Sequence, residues 1–438
     1  MDKPSSLQEI KEHVDGLRII DTHEHLAQEH ERIGHDVDVL STFFSHYASS
    51  DLLSAGIPEK DLSTIRDGSK PLKERWALFE PWWEKIRNTG YARALEIAAR
   101  DLYGVDGINS ATYRQLSQRM QEKNIEGLYR WVLKERSGID ISINNVNVEK
   151  MDTAFFAPVW SFSEYVLIKE RSDLETLGRR VGVRIHTLKS LESAMKAEFD
   201  RQQDRIVGVK IALAYNRSIY FEKTSYSEAE EAFNEIYRVR SFRWMDLPGG
   251  SKQVPNAVNF ETLRPLQDYL VHKIIEEAER RRLPIQIHTG IQEGNENIVS
   301  HSNPIHLVNL FMEYADARFD LFHGGWPYCG ELGSLAKNFP NVYIDMCWMH
   351  IISPSKSRTA LTDWLDEVPA SKIMGFGGDY LFVEGAYGHS VMARENIARV
   401  LASKVDDGTY TPEQAKKYAT WLLRENPRRL FFPDGIRP

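Results

Sequence analysis

Arg18-Ile19-Ile20-Asp21-Thr22-His23-Glu24-His25-Leu26 is an apolar run that ends in polar, metal-capable side chains. Side chains on a β-strand alternate between faces, so His23 and His25 share one side and Thr22 and Glu24 the other. Two imidazoles on one face at the end of a buried strand are placed to grip one metal ion. Alone, a His-x-His pair is more often core or surface than ligand; its weight comes from what lies downstream.

Working outward, residues 4–16 read as a short helix, capped by Ser5-Ser6, striped by Leu7, Ile10 and Val14, and ended by Gly16. After the first strand, residues 36–138 lose strand-like runs and show helix-period segments, at 71–87, 91–102, 110–122 and 125–136. Trp76, Phe79, Trp82 and Trp83 recur there at helical spacing, which predicts packing within a helical insertion. From Gly138 onward short strands return, alternating with helices. The strands are expected at 139–148, 154–160, 206–214, 283–288, 318–323, 342–346 and 372–375. Helices are expected at 187–202, 227–239, 263–281, 303–314, 332–338 and 359–368, with two closing ones at 390–403 and 411–423. Between the helix at 227–239 and the next lies a Pro-Gly-Gly loop. Eight strand–helix units predict a parallel sheet closed into an α/β, TIM-type (β/α)8 barrel, with a helical insertion after strand one. Residues 1–35 would hold the N-terminal helix and first strand, 36–138 the insertion, and 139–438 the rest of the barrel.

The 438 residues suffice for such a barrel, of about 250 residues, plus an insertion. A net charge of −8 spread over both signs argues against a nucleic-acid surface. No apolar run approaches the roughly 18 residues of a membrane span, and the N-terminus lacks the apolar core of a secretory signal. Cys329 and Cys347, the only cysteines, leave no room for a disulfide framework or a thiolate metal site and suit a reducing cytoplasm. No Gly-x-Gly-x-x-Gly follows the first strand, and no P-loop, HExxH or Gly-x-Ser-x-Gly pattern occurs.

Barrel chemistry sits where strands end. The polar residues there are His23 and His25, Lys210 with Tyr215-Asn216-Arg217, His288 in Ile-His-Thr-Gly, His323 in Phe-His-Gly-Gly-Trp-Pro, and Asp379 in Gly-Gly-Asp. Each has an ordinary reading: His288 as a core histidine, His323 as a strand end, Asp379 as a loop cap, Lys210 snorkelling to the rim. Four histidines and a carboxylate at the ends of four strands together point to a site for zinc, manganese or iron.

Asp-Thr-His-Glu-His, Ile-His-Thr-Gly, Phe-His-Gly-Gly and Gly-Gly-Asp resemble the amidohydrolase superfamily, and most its amidohydrolase-related branch. So do Val209-Lys210-Ile211-Ala212-Leu213-Ala214-Tyr215 and Glu425-Asn426-Pro427-Arg428-Arg429-Leu430-Phe431. The insertion after strand one is reminiscent of uronate isomerases, whose ending this chain does not share. The resemblance implies that His23, His25, His288 and Asp379 bind the metal and that Asp379 shuttles a proton. It implies that His323 orients water, polarises substrate or takes a second ion. One divalent ion, zinc by preference, is favoured, with two if Lys210 is carbamylated. Lys210, Tyr215, Arg217 and Trp326 are the candidate substrate contacts, and the polar loop 292–297 a lid. The expectation is a cytoplasmic metal-dependent hydrolase of a small polar, carboxylated molecule acting through a metal-activated water, in a chain able to form a homo-oligomer and binding neither nucleic acid nor membrane. The alternatives are a uronate isomerase-like isomerase or a decarboxylase on the same site, and a catalytically silent scaffold barrel.

Overall fold

In the computed structural model the opening stretch is strand β1, Ile19–Glu24, with every residue buried. The structure describes residues 5–146, 148–238, 242–247, 250–255 and 258–436, with the backbone alone for 242–247 and 250–255. Further strands are β2 (Ile139–Asn144), β3 (Phe156–Ser161), β4 (Gly208–Ile211), β5 (Phe242–Leu247), β6 (Gly250–Pro255), β7 (Ile285–Ile287), β8 (Phe319–Leu321), β9 (Val342–Asp345) and β10 (Ile373–Met374). Eight form one sheet in the order β1-β2-β3-β4-β7-β8-β9-β10, every pair parallel. The ring is drawn together beyond β10: Thr22 N–H donates to Phe376 O at 3.1 Å, Asp379 N–H to His23 O at 2.8 Å and His25 N–H to Tyr380 O at 3.1 Å. This is the expected barrel, with helices around it. Among the described residues no helix is long and apolar enough to cross a membrane.

The strands run shorter than the apolar patterns suggest. The segment expected at 283–288 pairs only over Ile285–Ile287, and that at 318–323 only over Phe319–Leu321. The residues that carry site side chains leave the ladder to line the mouth instead. The antiparallel hairpin of β5 and β6 was not foreseen. It flanks the Pro-Gly-Gly loop, of which Pro248 and Gly249 lie outside the described residues, as does Val239 of the preceding helix. Helices Ser163–Val166 and Arg171–Val181 were also missed, and the helix read at 390–403 extends over Val383–Asp406. Of the segment at 125–136, residues 128–136 coil, and Arg130–Arg136 does so as a wide π-helical turn.

Between β1 and β2 the chain is helical, and its aromatics form the core there. Phe44 packs on Phe79 at 4.3 Å, Trp76 stacks on Tyr113 at 4.5 Å, and Trp83 donates its indole N–H to Ile108 O at 2.8 Å. Helix Gly90–Tyr103 seats this layer on helix Val383–Asp406. The contact is so close that a Cβ at Gly388 would lie 2.1 Å from Ala94 O. Replacing Trp83, which is 1% exposed, by Ala leaves a ring-sized void and an orphaned carbonyl. Its expected cost is about 3–5 kcal/mol, read as a lowered urea midpoint.

Candidate metal centre

β1 brings His23 and His25 together as strand alternation predicts. Their Nε2 atoms lie 3.3 Å apart. Asp379 Oδ1 lies 3.1 Å from His25 Nε2 and 4.0 Å from His23 Nε2. All three residues offer ligand atoms within 4.8 Å of one another. A residue one layer deeper prepares His23 for a cation. The amide nitrogen of Gln286 donates to Thr22 O at 2.9 Å, which turns its Oε1 to His23 Nδ1 at 3.1 Å. Nδ1 must then be the protonated nitrogen, and Nε2 presents a bare lone pair towards His25 and Asp379. Two imidazole nitrogens and a carboxylate oxygen at the mouth of a barrel are a donor set that fits a divalent ion.

Asp379 sits at φ 58°, the left-handed region that a non-glycine residue seldom occupies. Backbone contacts over 375–379 hold it there. The carbonyl of Gly375 accepts from His350 Nε2, that of Phe376 from the Thr22 hydroxyl and that of Gly377 from Trp348 N–H. The carbonyl of Gly378 accepts from His389 Nδ1 and that of Asp379 from the Tyr47 hydroxyl at 2.5 Å. Burial works to raise the carboxyl of Asp379. The hydrogen bond from His25 and the imidazoles of His25, His323 and His23 outweigh it and hold the group well below the usual carboxylate range. Asp379 is therefore ionised at neutral pH, within reach of a proton.

His288 is placed against His323 rather than in the His23–His25–Asp379 trio. His323 itself stands at φ 61° just beyond β8. Its Nδ1 donates to Cys347 O at 3.0 Å, and His288 Nε2 donates to Ile291 O at 2.9 Å. A carbonyl only accepts, so the nitrogens turned towards each other, His323 Nε2 and His288 Nδ1, are both lone pairs, 3.0 Å apart. Burial drives His323 down to about 4 and His288 well below the usual imidazole range. His323 Nε2 lies 4.0 Å from Asp379 Oδ2.

Of the substrate-contact candidates, Lys210 is buried on β4 with its Nζ 3.4 Å from the centre of the Phe322 ring. Burial pulls its pKa down to about 8, opposed by Asp379 and the carboxyls beneath. The Tyr215 ring lies 4.7 Å from that of His288, and its hydroxyl accepts from Glu293 N–H at 3.2 Å, so it stands at the rim. Trp326 ties two loops through its backbone: its N–H donates to His323 O and its carbonyl accepts from Ile291. Arg217 is not brought to the site. Its guanidinium pairs with Asp268 at 2.6 Å, donates to Gln267 at 3.0 Å and caps the carbonyls of Ser218 and Tyr220. Four of its five N–H donors are spent in this way, on partners away from the His23–His25–Asp379 trio.

Sequence reasoning missed two groups of residues. His46 and Tyr47, from the helical insertion, roof the mouth. Tyr47 stacks on Trp348 at 4.5 Å, and His46 packs on Tyr47 at 3.8 Å with its ring tilted by 33°. His46 is 8% exposed, burial pushes it down to about 4, and its Nδ1 has no hydrogen-bond partner among the described residues. Nothing local marks this His–Tyr pair as different from its polar neighbours. The second group is a layer of buried acids below the site, Asp21, Glu24, Asp320 and Asp345. Burial raises Asp21 to about 6 and Asp345 to about 7. A signal for them existed, since a carboxylate inside a short apolar strand, as in Phe-Asp-Leu or Ile-Asp-Met, is costly unless it serves something.

Residues 222–432 match the amidohydrolase family model. Protein fluG of Emericella nidulans is 27% identical over 232 residues, an alignment that covers 52% of this chain and 25% of fluG, so the chain spans only about a quarter of that protein. The uronate isomerase of Thermotoga maritima superposes with a TM-score of 0.78 at 15% identity, over 98% of this chain and 97% of its own. Glucuronate isomerase of Caulobacter crescentus gives 0.78 at 16%, over 100% and 96%. A Lactobacillus casei chain described as a metal-dependent hydrolase gives 0.64 at 14%, over 97% and 98%. The structural likenesses bear on the fold, insertion included. With the family match, they bear out the resemblance read from the motifs.

Proposed function

We propose that this amidohydrolase-type barrel is a metal-dependent hydrolase of a small, polar, carboxylated molecule. The observation that carries the reading is Asp379. Its carboxylate is kept ionised in a buried mouth, 3.1 Å from one imidazole and 4.0 Å from two others. A divalent ion held by His23, His25 and Asp379, zinc by its donor set with manganese and iron as alternatives, would polarise a substrate carbonyl and acidify the water beside it. Asp379 accepts the proton of the attacking water and returns it to the leaving group. Lys210, the buried cation at this mouth, matches a substrate carboxylate. The 292–297 loop reaches the insertion, where Asn295 donates to Ser50 O at 3.2 Å, and together they shield the mouth from bulk water.

A second reading, aldose–ketose isomerisation, is favoured by one feature. The insertion sets His46 and Tyr47 over the mouth, with the Tyr47 hydroxyl on the backbone carbonyl of Asp379, and the chain is similar over 98–100% of its length to a uronate and a glucuronate isomerase. Turnover of a panel of carboxylated amides and lactones in ¹⁸O-water separates the two. Hydrolysis places one solvent oxygen in the product. Isomerisation of a uronic acid leaves the carboxylate oxygens unlabelled and, in deuterium oxide, exchanges a carbon-bound proton. Elemental analysis with a His25→Ala control tests the common premise: bound metal in wild type should fall in the variant, and no metal in either protein after reconstitution would remove the site.

A further inference from the structure

The trio of His23, His25 and Asp379 leaves other donors at the mouth unused. Asp379 turns its two oxygens to different partners: Oδ1 lies 3.1 Å from His25 Nε2, and Oδ2 lies 4.0 Å from His323 Nε2. On the Oδ2 side, His323, Cys347 and Asp379, all buried, bring ligand atoms within 4.8 Å of one another. Tetrahedral zinc, with bonds of about 2.0–2.3 Å, sets its donors roughly 3.3–3.8 Å apart. Only a small closure separates that arrangement from this one.

Two features of the group suit a cation, one in the facing nitrogens and one in how the sulfur is held. The lone pair of His323 Nε2 faces a second lone pair, on His288 Nδ1, at 3.0 Å, a repulsion that a nearby positive charge relieves. The Cys347 backbone is pinned on both sides, its N–H donating to Asp345 Oδ1 at 2.8 Å and its carbonyl accepting from His323 Nδ1 at 3.0 Å. The sulfur is thereby held against the Asp379 loop, where a Cβ at Gly377 would come within 2.9 Å of it.

We propose that His323, Cys347 and Asp379 hold a second, borderline-soft divalent cation such as zinc or cobalt(II), with the Cys347 thiolate as its sulfur donor and Asp379 bridging to the His23–His25 position. The inference rests on the metal reading of that first position. On binding, the Sγ–H bond breaks, the proton leaves to water and the sulfur–metal bond forms. One cysteine suffices because a histidine and a carboxylate complete the donor set. A carbamylated Lys210 is then not needed as the bridge.

The full-length chain is stripped with chelator and titrated with cobalt(II) chloride, and its spectrum and metal content are read without any substrate. Two equivalents and a near-ultraviolet sulfur-to-cobalt charge-transfer band are expected in wild type. Cys347→Ser and, without a hydroxyl donor, Cys347→Ala should each keep one equivalent and lose the band, while Cys329→Ser keeps both. A wild type with one equivalent and no band overturns the proposal. So does a second equivalent that survives both Cys347 variants, or one that tracks a carbamate on Lys210 seen by intact mass. His25→Ala separates this inference from its premise. A band that persists there with no metal lost removes the first position and leaves the sulfur-bearing one standing.

Discussion

Replacing Asp379 by Asn should lower kcat by about 10²–10⁴-fold, the range over which positioned acid–base groups act, with a far smaller change in KM. The substitution keeps the shape of the side chain and every backbone contact that holds the residue, because those run through the carbonyls and N–H groups of 375–380 rather than through the carboxylate. What it removes is the charge and the proton acceptor. An amide cannot take a proton from water, and it is a poorer metal ligand, so the assay belongs at saturating metal with bound metal measured alongside. An Asn variant within tenfold of wild type under those conditions would take Asp379 out of proton transfer. Stability supplies a second readout, with a definite sign. The folded state holds this carboxyl below its usual range, so its contribution is full above the unfolded value of about 3.9. That contribution fades as pH falls towards the lower folded value. Relative to the Asn variant, wild type should lose stability in acid.

Gly378→Ala should be nearly as damaging, through packing. A Cβ at this position would lie 1.8 Å from Glu24 Oε1 and 2.7 Å from its Cδ. Glu24 cannot swing aside freely, since it is fully buried and its Oε2 accepts from Tyr380 N–H at 2.7 Å. Either Glu24 or the loop bearing Asp379 must move. Overpacking of this kind costs typically about 1–3 kcal/mol, or a few degrees of Tm per kcal/mol in a chain of this size. The larger effect falls on catalysis, because a displacement near 1 Å of a reacting group costs about 10²-fold. Activity should therefore drop by about two orders of magnitude in a protein that still folds. The double variant Gly378→Ala/Glu24→Ala, which restores the space, should recover part of it. A single variant with wild-type activity and Tm would show that the loop yields, and that the contacts along 375–379 do not set the position of Asp379.

Much of this arrangement is local enough to be read from residue order. Alternation from Ile19 through His25, one residue past β1, put His23 and His25 on one side. The recurrence of short apolar runs between helical segments specified the barrel and the insertion. The rule that barrel chemistry lies at strand ends singled out His288, His323, Asp379 and Lys210. Each of these readings depends on a periodicity or a boundary that a single segment carries. What failed depends on partners far away in the chain. Arg217 reads as a substrate contact until Asp268, 51 residues on, is folded against it. Tyr47 reads as one aromatic in a helix until its hydroxyl meets the carbonyl of Asp379, 332 residues away. Cys347 reads as one cysteine too few until the fold brings ligand atoms of His323 and Asp379 within 4.8 Å of its sulfur. Strand lengths were overread for the same reason, since pairing ends where neighbouring strands diverge. Residue order by itself determined the barrel and the side chains that its strand ends carry. Only the tertiary structure decided which of them are already satisfied, because a hydrogen bond or ion pair is spent by whichever partner the fold brings within 3 Å, and sequence separation does not predict that partner.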